Sequence, residues 1–232
     1  MKETILILSC EHASQNIPDE WRALLGSQKD NRFAAFDPFS QELTIEIAKA
    51  LNCEYLLGNI SRLLLDLNKS INHDHCFPEY IRHDLTESQK ELLIHQYFNN
   101  YRDTFESLIQ KHIPKNHQVL HLSIHTFNPI EKGVEHNAAI GLLYDPSRHA
   151  EKEVVRVLNE LFIKRTPYTV RLNYPRTGKS DNFTSSLRKI YDESNYLGIE
   201  LECNAFLLED ELQSKEFYEN IITCLRSLLE LL

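Results

Sequence analysis

Residues 119–127 read V-L-H-L-S-I-H-T-F, and the fold follows from this stretch. Leu120, Leu122 and Ile124 alternate with His121, Ser123 and His125, which is the period-two signature of a strand. Side chains two apart share a face, so the aliphatics point one way and the imidazoles and hydroxyl the other. Asn128-Pro129 ends the run, because proline cannot continue a ladder. His125 therefore stands at the end of a buried strand, where α/β folds carry their chemistry. An imidazole there serves as a metal ligand, as an acid or base, or as a core histidine bonded to a neighbour.

Upstream, residues 4–9 form a continuous aliphatic run, as expected of a buried strand in a largely parallel sheet. It opens into Ser9-Cys10-Glu11-His12-Ala13-Ser14, which puts His12 at a strand end like His125. Ile17-Pro18 starts a short helix. Phe36-Asp37-Pro38 precedes an amphipathic helix with Leu43, Ile47, Ala48 and Leu51 on one face. Asp37 alone reads as its N-cap, with Pro38 in the first turn. Residues 53–57 and 60–67 are expected to be two further strands around Gly58-Asn59. The second carries Arg62, Asp66 and Asn68 on one alternating face, and charges on so apolar a strand need partners. His73-Asp74-His75 lies in a loop without apolar period and reads as solvated rather than as a ligand pair. Thr86 to Gln89 has capping-box spacing and opens a long helix. Leu93, Tyr97, Tyr101, Phe105, Leu108 and His112 form its core face.

Downstream, residues 138–144 and 168–172 read as strands flanking a helix striped by Val154, Val157, Leu158 and Leu161. The loop 173–180 ends in G-K-S but lacks the first glycine of a phosphate loop. A short helix over 183–191 bears Arg188. Residues 198–204, G-I-E-L-E-C-N, place Glu200, Glu202 and Asn204 on one face of an interior strand. Two buried carboxylates there require a cationic or metal partner. Phe217, Ile221, Leu225, Leu228 and Leu232 make an amphipathic C-terminal helix. Strands alternating with helices, with no linker or repeat, indicate one α/β domain over residues 1–232.

Composition narrows the function classes. With 42% hydrophobic and 25% charged residues in 232, the chain can bury an ordinary globular core. A formal net charge of −9 argues against nucleic acid and anionic membrane surfaces as partners. The six-residue apolar run near the N-terminus is too short for a signal or membrane segment, so a cytoplasmic protein is expected. Five cysteines, an odd number without C-x-x-C spacing, argue against a disulfide framework and a thiolate zinc knuckle.

Four strand ends or their loops thus bear His12, Asp37, His125, and Glu202 with Glu200. Two imidazoles, one carboxylate and a spare carboxylate make the donor set of a catalytic zinc site with a general base. No local H-E-x-x-H supports it, and spacing alone leaves a metal site open.

Several segments resemble the N-formylglutamate amidohydrolase family when taken in order. They are S-C-E-H-A-S-x-x-I-P, F-D-P, S-R-L-L-L-D-L-N-K-S, H-L-S-I-H-T-F-N-P, G-L-L-Y-D-P, N-Y-P and G-I-E-L-E-C-N. They run from residue 9 to about residue 204. The resemblance implies a three-layer α/β/α domain on a mixed, largely parallel sheet, phosphorylase/hydrolase-like and similar to zinc carboxypeptidases and aspartoacylases. It implies one zinc ion per chain held by His12, Asp37 and His125, and hydrolysis of the amide of an N-acyl amino acid. Glu202, or else Glu200 on the same face, is the implied base. Arg62, Asn68 and Lys69 fall in the segment that holds the substrate carboxylate. Here the chain departs from the family's usual Asn-Arg, and lysine cannot make the planar fork to a carboxylate. Arg62, Arg176 or Arg188 then takes over the clamp, or the substrate differs. The competing readings are a related metallohydrolase, such as a carboxypeptidase or ester hydrolase, and a binding module on the same fold.

Overall fold

The computed structural model describes residues 2–30, 35–131 and 133–232. Among them a six-stranded sheet runs in the order β2-β1-β3-β8-β6-β7. Its strands are β1 (Glu3–Cys10), β2 (Glu54–Leu57), β3 (His117–Phe127), β6 (Ile140–Leu143), β7 (Val170–Leu172) and β8 (Tyr196–Asn204). The two-residue strands β4 (Ile130–Glu131) and β5 (Val134–Glu135) pair separately as a hairpin. β2, β1, β3 and β8 are parallel, β6 is antiparallel to β8, and β7 is parallel to β6. The sheet is mixed and largely parallel, as the sequence implied.

The alternation of residues 119–127 decides what each face meets. Leu120, Leu122 and Ile124 join Ile199 and Leu201 in one core. That core is sealed by α1 (Ser40–Leu51), then by the later helices His149–Arg165 and Glu211–Leu231. On the opposite face Val119 and Tyr196 pack with Phe105, Ile109 and Phe183. The helices there are α2 (Glu79–Arg82), α3 (Glu87–Leu93), α4 (Asn100–Gln110) and α6 (Phe183–Arg188), with α5 (His149–Arg165) and α7 (Glu211–Leu231) completing the first layer. Helices on both faces of one sheet make three layers. Thr86 caps α3 with the reciprocal box expected, and a π-helical stretch, Ile94–Asn99, carries α3 into α4.

Two local expectations are corrected. Residues 60–67 are not a strand but a succession of turns, with the N–H groups of Leu64 and Leu65 both donating to Ser61 O. Leu63, Leu64 and Leu65 are buried all the same, by these turns rather than by a sheet ladder, so the apolar run marks burial and not strand geometry. Asp37 does not cap α1. The N-cap is Phe39, in the left-handed region at φ 68°, which leaves the Asp37 carboxylate for other work.

The parallel run of β1, β3 and β8 sets three C-terminal ends side by side. His125 lies opposite Glu202, and Ser123 opposite Glu200. On the other flank of β8, Gly141 faces Glu202 in the antiparallel register. A Cβ at Gly141 would fall 1.8 Å from Tyr174 O and 3.2 Å from the Glu202 Cβ. Gly141→Ala must therefore displace the backbone of the 173–180 loop, at a cost of roughly 1–3 kcal/mol for overpacking. Thermal unfolding would show it as a fall of about 2–4 °C per kcal/mol. An unchanged Tm would refute this close approach.

Candidate metal centre

His12 follows β1 by two residues and His125 sits two residues before the end of β3. Asp37 is placed between them by backbone bonds: its N–H donates to His12 O at 3.0 Å, and Thr126 Oγ1 donates to Pro38 O at 2.8 Å. Asp37 Oδ2 stands 3.3 Å from His12 Nδ1 and 2.8 Å from His125 Nδ1. All three side chains are buried, and their ligand atoms lie within 4.8 Å of one another. Among the described residues, no other three His, Cys, Asp or Glu side chains gather so closely.

The outer nitrogens decide what the inner ones can do. His12 Nε2 donates to Asp66 Oδ1 at 2.8 Å, and His125 Nε2 pairs with Glu11 Oε2 at 3.0 Å. An imidazole that donates from Nε2 and is neutral carries its lone pair on Nδ1. Two such lone pairs and a carboxylate oxygen then gather where a cation or a hydrogen-bond donor is favoured, and Arg62 Nη1 is one such donor, 3.2 Å from His12 Nδ1. Burial alone would lower both imidazoles, but the carboxylates outweigh it. Asp66 and Asp37 raise His12, while Asp37 and Glu11 hold His125 well above its ordinary value. Burial would raise the Asp37 carboxyl, yet Arg62 and His12 keep it well below the carboxylate range. The donor set is the two-nitrogen, one-oxygen set that zinc accepts, and each histidine has the carboxylate partner that metal-binding histidines usually have. A divalent cation fits these residues.

Around this centre lies a cleft of about 440 Å³. It brings together Arg62, Asn68, Lys69, Arg176, Glu200 and Glu202 with the three ligand candidates. Arg62 Nη1 contacts Asp37 Oδ1 at 2.8 Å, so its charge serves the ligand carboxylate. Asn68 Oδ1 accepts from Phe183 N at 2.7 Å, while its amide nitrogen lies 3.4 Å from His125 Nε2. Lys69 Nζ donates to Asp181 O at 2.8 Å. Burial raises the Glu202 carboxyl to about 7, opposed by His125, while Asp37 and Glu200 push it the same way as burial. Glu200 is deeper, also raised by burial, and among the described residues its Oε1 has no hydrogen-bond partner.

Arg188 is not in the cleft. It lies buried behind it, with Nε on Glu151 at 2.9 Å, Nη1 on Gly178 O at 2.7 Å and Nη2 on Gly198 O at 2.6 Å. This corrects its expected role as a substrate contact: its planar fork ties the Arg176-bearing loop to β8. His121, beside His125 on the same face, is a core histidine bonded to Ser9 Oγ and Tyr196 OH at 2.7 Å each. Burial drops it to about 3. In the His73-Asp74-His75 loop, His73 Nδ1 accepts from His75 N and Asp74 pairs with Arg82.

A model of the N-formylglutamate amidohydrolase family matches residues 4–207. The chain belongs to that family. It is therefore an amide-cleaving hydrolase. No curated protein sequence matches it. Two solved structures share the fold of this N-formylglutamate amidohydrolase family member. A gene product of Agrobacterium tumefaciens aligns with a TM-score of 0.79 at 20% identity, over 97% of this chain and 91% of its own. An N-formylglutamate amidohydrolase from Ralstonia eutropha aligns with a TM-score of 0.76 at 13% identity, over 99% of this chain and 94% of its own. At such identities they establish the architecture alone. Among the described residues, no helix is long and apolar enough to cross a membrane.

Sequence reasoning missed Glu11 and Asp66 as the partners of the two imidazoles. Asp66 left a trace, since a charge in S-R-L-L-L-D had to be paired; Glu11 left none beyond its place next to His12. If Asp66 orients His12, Asp66→Ala should weaken divalent-cation binding roughly 10–100-fold. Competition against a chromophoric chelator measures this, and an unchanged affinity would remove Asp66 from the site.

Proposed function

We propose that this family member is a zinc-dependent amidohydrolase that cleaves the amide of an N-acyl amino acid. The observation that carries the reading is the convergence of both Nδ1 atoms on Asp37 Oδ2, with each Nε2 held by a carboxylate. His12, Asp37 and His125 would hold the ion. When bound, zinc supplies a Lewis acid that acidifies water and polarises a carbonyl. The rest is the work of side chains.

Glu202 is the general base and then the general acid. It lies next to His125 across the β3–β8 ladder and lines the cleft. A carboxyl raised to about 7 by burial is well matched to accepting a proton from water and returning it to the leaving amine near neutral pH. A cation at the triad would lower it and favour the ionised, base form. Glu200 is set back toward Glu11 and Arg188, whose charges act on it, and is the less suited of the two. Arg62 holds Asp37 in its anionic form. Arg176 and Lys69 bring positive charge to the cleft wall for the carboxylate of the amino acid part. Asn68 fixes the start of α6 and stands beside His125.

On this reading Glu202→Gln retains stoichiometric zinc and loses roughly 10²–10⁴-fold in turnover. Glu200→Gln is the matched control and keeps most of its activity. The pair is assayed on a panel of N-acyl amino acids, with zinc counted by elemental mass spectrometry. Full turnover in Glu202→Gln would dismiss it as the base. Chelation should abolish activity and added zinc restore it; indifference to chelators would dismiss the metal.

A further inference from the structure

The end of the sheet remote from the cleft carries a second pair of convergent imidazoles. His112 follows α4 and His117 opens β3, and the residues between them are Ile113, Pro114, Lys115 and Asn116. The connection is one 3-10 turn, Ile113–Lys115, closed by Asn116 in the left-handed region at φ 60°. His112 O accepts from Lys115 N at 3.0 Å and from His117 N at 3.4 Å. Proline fixes one more torsion, so the two rings are held by a short, stiff piece of backbone.

Their Nδ1 atoms face each other at 3.3 Å. Their Nε2 atoms point outward to carboxylates, His112 to Glu54 Oε2 at 3.0 Å and His117 to Glu3 Oε2 at 3.3 Å. Lys111 Nζ holds the other Glu54 oxygen at 2.7 Å. If each Nε2 donates, two Nδ1 lone pairs are aimed at each other, which is repulsive unless a proton or a cation lies between. Two nitrogens bound at about 2.05 Å to one tetrahedral ion are about 3.3 Å apart. Carboxylate on the outer nitrogen and ion on the inner one is the usual setting of a metal-bound histidine. The cleft shares the outer half of this arrangement, a carboxylate on the Nε2 of both His12 and His125.

We propose that His112 and His117 form a second cation site, separate from the cleft, for a divalent transition metal of the zinc class. Both protein ligands are imidazole nitrogens, which disfavours magnesium and calcium. His112 is buried while His117 keeps a side open to solvent, so water completes the coordination. The ion ties the end of α4 to the start of β3 and, through Glu54, to β2. Eight residues of strand, about 26 Å, separate it from His125. With two protein ligands rather than three, this site fills after the first.

The test is titration of the metal-free full chain with zinc chloride, followed by calorimetry and by imidazole nitrogen resonances. Two equivalents are expected, the second shifting the Nδ1 signals of His112 and His117. In His117→Gln the second equivalent should bind at least tenfold more weakly, with the first and the amidase activity it supports unchanged. Magnesium should move neither ring. Should the substitution disturb β3, the wild-type resonances still read the site. One equivalent in the wild type, with the His112 and His117 signals unmoved, would overturn the proposal and leave a shared proton between the rings. Loss of the first equivalent instead would touch only the cleft, whose signals come from His12 and His125.

Discussion

The buried carboxylate of Glu11 is the constraint on which the rest of the cleft depends. Glu11 is fully buried at the end of β1, and it accepts from Tyr101 OH on α4, from Ser123 Oγ and from His125 Nε2. A lone carboxylate there would be costly, and burial does push its carboxyl upward. The imidazoles of His125 and His121 and the Ser123 hydroxyl overcome that, holding it below its ordinary value. The same bonds fix the tautomer and the tilt of His125. Glu11 thus converts the packing of two strands and a helix into the aim of one nitrogen.

A second buried charge knot does for the loops what Glu11 does for the ligands. Glu151 on α5 is fully buried and engages Arg188 and Arg148, while accepting from the backbone N–H of Gly198 and Asp145. Arg188 spends all three guanidinium nitrogens on Glu151, Gly178 O and Gly198 O. Buried ion pairs add little net stability, since desolvation offsets the attraction. What this one supplies is position. It binds the loop that carries Arg176 to the strand that carries Glu200 and Glu202.

The architecture was legible wherever burial on both sides imposed a pattern. Residues 4–9, 119–127 and 198–204 are central strands, and an interior strand must alternate or run apolar. The same pattern misled at residues 60–67, where Leu63, Leu64 and Leu65 are buried by turns instead. Local apolarity reports burial, not hydrogen-bond geometry. His12 and His125 could be singled out because their strand ends were foreseen. Asp37 was ambiguous, since a capping aspartate and a ligand aspartate look alike before a helix. The role of Arg188 could not be read at all: a guanidinium that clamps carbonyls and one that clamps a substrate have the same one-letter code, and only the presence of Glu151 distinguishes them. Glu11 was hidden for the same reason, its partners lying 90 and 112 residues away along the chain.

The departure at Lys69 acquires a physical sense in this setting. Ser70, the next residue, binds both oxygens of Asp181 through its N–H and hydroxyl, while Lys69 Nζ donates to the Asp181 carbonyl. The segment behind is held by Arg102, whose guanidinium donates to the carbonyls of Leu67 and Lys69 and stacks on Phe183. A guanidinium is thus already present here, with its Nη2 shared between two backbone carbonyls from inside the core. An ammonium can serve one carbonyl and keep other donors for the cleft, because its three N–H bonds rotate freely about one point. On the proposed reading, Lys69 meets the substrate as a mobile point charge and Arg176 comes from a loop pinned by Arg188. Recognition of the amino acid carboxylate would then rest on charge more than on planar geometry, which tolerates a wider range of substrate side chains than a rigid paired fork does.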